Sequence, residues 1–235
     1  PFFLETTLNF VEAAARLPGV RLGLISQDPE EKLPHAIRAR LAAHFRVADG
    51  LSTDQLAHAI RMLAGRLGPI DRLLGTLEEL QVPLGALRDH FEIPGMGATV
   101  ANNFRDKSVM KGVLAAHGLP CAAHRLATSG EAVRRFAAEV GFPIIVKPPD
   151  GAGARQTFRL DDTAQLDAWL ATHGPAPGRE ILCEEFLTGQ ERSYDSVCID
   201  GRVVWSSINH YFPSPLEVME NRWIQWCVLL PREVD

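Results

Sequence analysis

The feature that most restricts the fold of this sequence is the regular alternation of helix-like and strand-like segments over residues 1–95. Segments with apolar residues at helical spacing alternate with short apolar runs of strand length; the helical segments are 7–17, 33–43, 56–67 and 78–90, and the runs are 20–25, 45–47 and 70–74. Strands separated by helices of about 10–15 residues are typical of βαβ units on a parallel sheet. We therefore predict an open, mostly parallel α/β domain, and, because the pattern opens on a helix, a first strand upstream of Pro1.

The rest of the chain is punctuated by clearer cap and turn signals. Cap residues and glycines predict helices over 106–117 (with Asn102 or Asn103 as the cap), 128–140 and 161–172. Short apolar segments predict strands at 142–146, 157–160, 181–187, 193–199 and 202–208, and the tail 215–230 has the pattern of a helix. Asp200-Gly201, between two strand-like segments, is a strong signal for a two-residue hairpin.

Composition and charge exclude several classes of protein. The chain of 235 residues has a net charge of −5, whereas a nucleic-acid-binding protein needs a basic face to displace counterions. No run of about 18 uncharged apolar residues is present, so we expect no membrane partner either. The four cysteines form no CxxC pair and no metal-binding spacing with histidine, which favours a reduced, cytoplasmic protein; they are Cys121, Cys183, Cys198 and Cys227.

The residues that could carry chemistry form a spaced constellation. The sequence contains no GxxxxGK[ST] loop, no complete GxGxxG, no HExxH and no GxSxG. It does contain Lys107 at a helix start, Lys147 between an apolar strand and the polar loop 150–156, and Glu184 in an otherwise apolar strand. Lysines can neutralise phosphates, loop N–H groups can cover them, and a carboxylate can accept a hydrogen bond from the adenine amino group. Together these residues predict an ATP site.

Four segments resemble the ordered landmarks of the ATP-grasp superfamily: 105–111 (RDKSVMK), 115–120 (AAHGLP), 142–148 (FPIIVKP) and 184–191 (EEFLTGQE). The resemblance covers nearly the whole chain and is to carboxylate–amine ligases in general, such as amino-acid ligases, glycinamide ribonucleotide synthetase and carbamoyl phosphate synthetase. It implies that residues 1–95 are the α/β domain that precedes the ATP-grasp fold. Residues 96–235 would be the ATP-grasp domain itself, with an α+β lid over about 119–182 and a core that is incomplete at the C-terminus.

The resemblance also implies roles for individual residues. Lys107 and Lys147 would contact the ATP phosphates, and the loop 150–156 would cover them, with Gly151 and Gly153 allowing close approach of the backbone. Glu184 would accept from the adenine N6 amino group. The remaining residues of the expected cofactor-binding set are those of the adenine edge, Glu185, Phe186 and Leu187, and Glu191 for the ribose hydroxyls. The superfamily's magnesium ligands have no match before Asp235, so we expect them beyond that residue and assign no metal ligand or catalytic residue here.

The expected function is that of an ATP-dependent ligase, which activates a substrate carboxylate as an acyl phosphate and joins it to an amine. Its cofactors would be ATP and Mg²⁺, its partners a small-molecule carboxylate and amine, with a homodimer possible. Two alternatives remain open at this point. One is a non-catalytic nucleotide-binding module, and the other is a biotin-carboxylase-like enzyme that uses the same ATP site.

Overall fold

The computed structural model of the chain describes residues 2–151, 156–221 and 223–232. Backbone contacts divide the chain into two compact units, Pro1–Val113 and Leu114–Asp235. Within the described ranges, no helix is both long enough and apolar enough to cross a membrane.

The first unit is built from helices around a short parallel sheet. Its elements are α1 (Glu5–Ala15), β1 (Gly23–Ser26), a 3₁₀ helix (Glu30–Lys32), α2 (His35–Arg38), β2 (Ala43–Arg46), α3 (Thr53–Leu67), a 3₁₀ helix (Glu78–Leu80), α4 (Gln81–Phe91), α5 (Ala98–Arg105) and α6 (Lys107–Ala116). β1 and β2 pair in parallel, from Gly23 opposite Ala43 to Ser26 opposite Arg46. The long helix α3 begins where the Ser52 side chain accepts from the Gln55 N–H, a typical N-cap.

Two predictions for this unit need correction. The run 70–74 is not a strand: the Leu73 carbonyl instead accepts from Nε and Nη2 of the buried Arg88, at 3.0 and 2.6 Å, so a side chain takes the place of a neighbouring strand. The helix predicted over 33–43 is limited to α2, because the chain then turns into the sheet, where the Ala42 N–H donates to the Leu22 carbonyl. The predicted parallel sheet is therefore represented, among the described residues, by β1 and β2.

The second unit begins with a four-stranded antiparallel sheet. Its elements are β3 (His124–Ala127), α7 (Gly130–Val140), β4 (Ile144–Lys147), β5 (Phe158–Leu160), α8 (Thr163–His173) and β6 (Ile181–Glu185), with the strand order β3-β6-β4-β5. The helices α7 and α8 start at the side-chain caps Ser129 and Asp162, as their sequences predict. Strand β3 was not predicted, since its sequence HRLA mixes charged and apolar residues without a clear period.

One face of this sheet carries the core of the second unit. The residues that pack together there are nearly inaccessible to solvent: Ala127, Val133, Phe136, Ala137, Ile144, Val146, Leu160, Leu166, Trp169, Ile181 and Cys183. They come from α7, α8 and alternate positions of all four strands. Because successive strand residues point to opposite faces, the intervening positions Ile145, Lys147, Leu182 and Glu184 lie on the other face. We call this second surface the outer face of the sheet.

A second sheet follows, formed by β7 (Arg192–Ile199), β8 (Arg202–Phe212) and β9 (Cys227–Leu229). The predicted hairpin is confirmed, with Asp200 and Gly201 at φ values of 49° and 75°, as a two-residue turn with two left-handed residues requires. The helix predicted over 215–230 is shorter than expected: α9 spans Pro215–Glu220 only. Cys227–Leu229 instead pair with β8 as strand β9, and Trp226, just before that strand, stacks on Tyr211 of β8 with ring centroids 5.8 Å apart.

Candidate functional site

The outer face places Lys147 and Glu184 side by side. Ile145 of β4 lies opposite Glu184 of β6 in the antiparallel register, so Lys147, two residues on, is the diagonal neighbour of Glu184. The Lys147 Nζ donates to the Glu184 Oε2 at 2.6 Å. The Lys147 side chain is 20% exposed and that of Glu184 only 9%. The hydrogen bond and the low exposure of both side chains restrict the positions that the pair can take.

Glu191 belongs to the same electrostatic environment. It immediately precedes β7 and is exposed on the surface. Local desolvation raises the pKa of Glu191 above its ordinary value, and the positive charge of Lys147 opposes that shift. Lys147 thus acts on two predicted site carboxylates, through a hydrogen bond on Glu184 and through charge on Glu191. The structure brings these three predicted site residues together within the second unit.

The residues at the end of β6 have more varied surroundings. The Glu185 carboxylate accepts from the Ala123 N–H at 2.8 Å, and the Glu185 N–H donates to the Ala123 carbonyl at 3.0 Å. This carboxylate therefore fastens the start of β3. The Phe186 N–H donates to the Pro143 carbonyl at 3.3 Å, and the Arg159 guanidinium lies 4.4 Å above the Phe186 ring. Leu187 is 63% exposed. The structure leaves the predicted adenine contacts of these three residues as predictions.

Lys107 lies at a helix start, as the sequence predicts. Lys107 is the first residue of α6 and lies in the first unit. Its helix is capped by the Asp106 carboxylate, which accepts from the Ser108 and Val109 N–H groups, and not by Asn102 or Asn103, which belong to α5. Desolvation raises the pKa of Asp106, but the hydrogen bonds from Ser108 and Val109 outweigh it and leave the pKa below its ordinary value.

Only one of the two predicted loop glycines can be located. The Gly151 N–H donates to the Pro148 carbonyl at 3.4 Å, directly after β4. Gly153 lies outside the described residues. The proposed cover over the phosphates therefore stays a prediction from the sequence.

Two residues of the outer face were missed by sequence reasoning. His124 of β3 lies directly opposite Glu184, and Arg159 of β5 lies opposite Ile145, so both share the face of the ion pair. The His124 Nδ1 donates to the Ala122 carbonyl at 3.1 Å, and this hydrogen bond orients the imidazole ring. Only the strand register could have found these residues, since neither belongs to a recognisable motif. The part of the chain that the structure describes holds no group of three or more His, Cys, Asp or Glu residues suited to a metal ion.

Comparison with known proteins adds independent information. No family model matches the sequence. The chain is 26% identical over 175 residues to the L-arginine-specific L-amino acid ligase of Bacillus subtilis, over 72% of this chain and 42% of that relative. The crystal structure of an L-amino acid ligase from Bacillus licheniformis matches 96% of this chain and 52% of its own, with a TM-score of 0.70 and 18% identity. An ADP complex of N5-carboxyaminoimidazole ribonucleotide synthetase matches 88% of this chain and 55% of its own, with a TM-score of 0.62 and 15% identity.

These matches confirm the resemblance to ATP-grasp carboxylate–amine ligases that the sequence motifs indicate. The fold of the chain, mixed α/β with parallel and antiparallel sheets, is the fold found in the solved ligases. The chain spans between 42% and 55% of the length of the three proteins compared above.

Proposed function

We propose that this chain is the nucleotide-binding part of an ATP-dependent carboxylate–amine ligase. The single observation that carries this proposal is the Lys147–Glu184 pair on the outer face of the sheet, with 2.6 Å between Nζ and Oε2. The pair sets a hydrogen-bond donor and a hydrogen-bond acceptor next to each other on a largely buried surface. Such a pair favours a ligand that presents an acceptor and a donor side by side. A solved L-amino acid ligase has the same fold.

Adenine fits this donor and acceptor. Along one edge, adenine presents the N7 acceptor beside the N6 amino donor, whereas guanine presents two acceptors, N7 and O6. Lys147 would donate to N7 while Glu184 accepts from N6. Guanine would place O6 against the Glu184 carboxylate, an oxygen-to-oxygen contact without a proton. The pair therefore favours ATP over GTP.

The phosphates and the ribose would be held by the remaining predicted residues. Lys147 has three N–H donors, of which Glu184 takes one, so it can also reach a phosphate oxygen. Lys107 and the backbone of the loop 150–156 would contact the other phosphates, and Glu191 would accept from the ribose hydroxyls. In this proposal residues 96–235 form the ATP-grasp domain, with its lid over about 119–182, and residues 1–95 form the preceding domain.

The chemistry would follow from positioning. The substrate carboxylate attacks the γ-phosphorus of ATP, which forms an acyl phosphate and releases ADP. The amine then attacks the acyl carbon, and phosphate leaves as the C–N bond forms. Lys147 and Lys107 would orient the phosphates and stabilise their charge. Magnesium, when bound, would supply further neutralisation of that charge. The described residues hold no group of three or more His, Cys, Asp or Glu side chains suited to a metal ion, so we assign no magnesium ligand among them.

The setting of the reaction is part of the same proposal. The partners would be a small-molecule carboxylate and a small-molecule amine, with a homodimer possible, in the reducing cytoplasm. Cys183, Cys198 and Cys227 are free thiols, in agreement with that compartment. Phosphate release by the whole protein, measured with ATP, Mg²⁺ and pools of amino acids, tests the activity directly. We expect release that requires a carboxylate and an amine together; release with bicarbonate and no amine would favour the carboxylase alternative instead.

The nucleotide site itself is tested by affinity for ATP and GTP, measured by calorimetry on the Glu184→Ala variant. We expect a loss of about tenfold or more in ATP affinity, because the N6 acceptor and the partner of Lys147 disappear together. The preference for ATP over GTP should fall at the same time. Glu180→Ala is the matched control, since Glu180 directly precedes β6 and lies outside the pair. Equal ATP affinity in the wild type and in Glu184→Ala would refute the site.

A further inference from the structure

A cleft of about 610 Å³ lies in the first unit, at the carboxyl ends of both strands of the parallel sheet. The chain leaves β1 at Ser26 and β2 at Arg46, which are the last residues paired in the ladder. The cleft is lined by Phe2, by the residues that follow β1 and by the end of β2 with the two residues after it. In open α/β sheets, ligands bind in the crevice outside the carboxyl ends of the strands.

Arg46 is the side chain in the cleft best suited to a ligand. Its Nε donates to the Gln27 carbonyl at 3.0 Å, which fixes the plane of the guanidinium. Among the residues that the structure describes, its two terminal nitrogens have no hydrogen-bond partner and no ion pair. An arginine held along one edge in this way keeps the opposite edge for two parallel hydrogen bonds to a carboxylate or phosphate.

The carboxylate in the lining, Asp28, bonds directly to groups other than Arg46. The Asp28 Oδ1 accepts from the Lys32 Nζ at 2.7 Å, and its Oδ2 accepts from the Phe3 N–H at 2.9 Å. The hydrogen bond from Lys32, followed by that from Phe3, lowers the pKa of Asp28 below its ordinary value. Asp28 is thus a charged group whose two oxygens are both engaged. The charges of Lys32 and Arg46 also lower this pKa, but among the described residues no hydrogen bond or ion pair joins Arg46 to Asp28, so the terminal nitrogens of Arg46 stay available to a ligand.

Polar and apolar walls complete the cleft. The Gln27 Nε2 donates to the Ala48 carbonyl at 3.0 Å, which orients the side-chain amide and turns its oxygen into a fixed acceptor. Phe2, Pro29 and the buried Val47 supply apolar surface beside these polar groups. A ligand with an anionic group for Arg46 and an apolar body for these side chains would match the cleft.

We propose that this cleft is a binding site for a small organic anion, a carboxylate or a phosphate with an apolar body, which Arg46 holds through its free edge. The site lies in the first unit and requires no nucleotide, so it goes beyond the ligase function proposed above. Arg46 is the residue that determines the preference for an anion, and Phe2, Pro29 and Val47 supply the apolar contacts.

The test compares three probes that share a phenyl body: phenylacetate, phenyl phosphate and 2-phenylethanol. Each is titrated against the whole chain without nucleotide, and the dissociation constant is taken from ligand-observed NMR. We expect at least one of the anions to bind more tightly than 2-phenylethanol. Arg46→Gln should weaken that binding about tenfold, the loss expected for a charge-assisted hydrogen bond, and Arg46→Lys should weaken it less because the charge remains.

Arg40→Gln is the matched control, because Arg40 is an exposed arginine close in sequence that does not line the cleft. Circular dichroism shows whether each variant is folded. Binding of phenylacetate that depends on Arg46 would identify a carboxylate site, and such binding of phenyl phosphate alone would identify a phosphate site; both support the proposal. Anion binding that is equal in Arg46→Gln and Arg40→Gln, or no preference over 2-phenylethanol, would overturn it.

Discussion

The two faces of the four-stranded sheet in the second unit differ in what they contribute. Cys183 and Glu184 are neighbours in β6, yet Cys183 is completely buried in the core and Glu184 lies on the outer face beside Lys147. Burial raises the pKa of the Cys183 thiol to about 12, so this thiol is an inert core residue. Alternation along one strand thus separates the residues that stabilise the unit from those proposed to bind ATP.

The largest expected effect concerns the core face. Phe136→Ala removes a ring that is 2% exposed, and such substitutions cost about 3–5 kcal/mol of unfolding free energy because they remove apolar burial and leave a cavity. Denaturant unfolding measures this loss. ATP affinity of the fraction that stays folded should remain near the wild-type value. A strong loss of affinity in the folded fraction would show that the two faces do not act separately.

The opposite result is expected on the outer face. Lys147→Ala should reduce the proposed ATP turnover of the whole protein on the order of 10²-fold, because a preorganised charge partner of the phosphates is lost. Its stability should change less than that of Phe136→Ala, since the Lys147 side chain is 20% exposed. Steady-state kinetics and unfolding of the same preparation give both numbers. Normal ATP turnover would contradict the role of Lys147.

Arg159→Gln should have a smaller effect. The guanidinium lies over the Phe186 ring and donates to Asp161 at 2.8 Å on a partly exposed surface, so we expect a loss of about 0.5–1 kcal/mol in stability. Arg134→Gln is a suitable control, because Arg134 forms a comparable exposed pair with Asp167 on the helical side of the sheet. If Arg159 supports the nucleotide site through Phe186, only Arg159→Gln should also reduce ATP affinity.

The smallest effect is a dependence of stability on pH at Glu191. Its pKa is raised in the folded state, so the folded protein binds this proton more tightly than the unfolded chain. Stability should therefore decrease as the pH rises from the ordinary glutamate pKa through the raised value. Glu191→Gln should flatten this part of the profile, measured by thermal unfolding between about pH 4 and 7. An unchanged slope would show that Glu191 does not titrate as described.

Local signals in the sequence were sufficient for part of this structure. Ser129 and Asp162 start their helices, and Asp200-Gly201 makes its turn, because caps and two-residue turns depend on a few neighbouring residues. The predictions of a strand at 70–74 and of a helix over the whole tail 215–230 were wrong, because distant partners determine the structure of both segments. The partner is Arg88 in the first case and β8 in the second.

The candidate site was predictable only as a set of residues. Lys147, Glu184 and Glu191 were expected from their residue types and order, but their proximity depends on the pairing of β4 with β6. The same register brings His124 and Arg159 to the outer face, and no pattern in the sequence indicates it. Long-range strand pairing, which local preferences do not determine, therefore sets the limit of the sequence analysis.

The most direct test of the central claim compares the affinity of ATP with that of 7-deaza-ATP, which lacks the N7 acceptor. If Lys147 donates to N7 while Glu184 accepts from N6, the wild type should bind 7-deaza-ATP about tenfold more weakly than ATP. Tenfold is the loss expected for one charge-assisted hydrogen bond. The Lys147→Met variant should bind the two nucleotides equally. Equal affinity of the wild type for both nucleotides, or the same discrimination in Lys147→Met, would contradict the account.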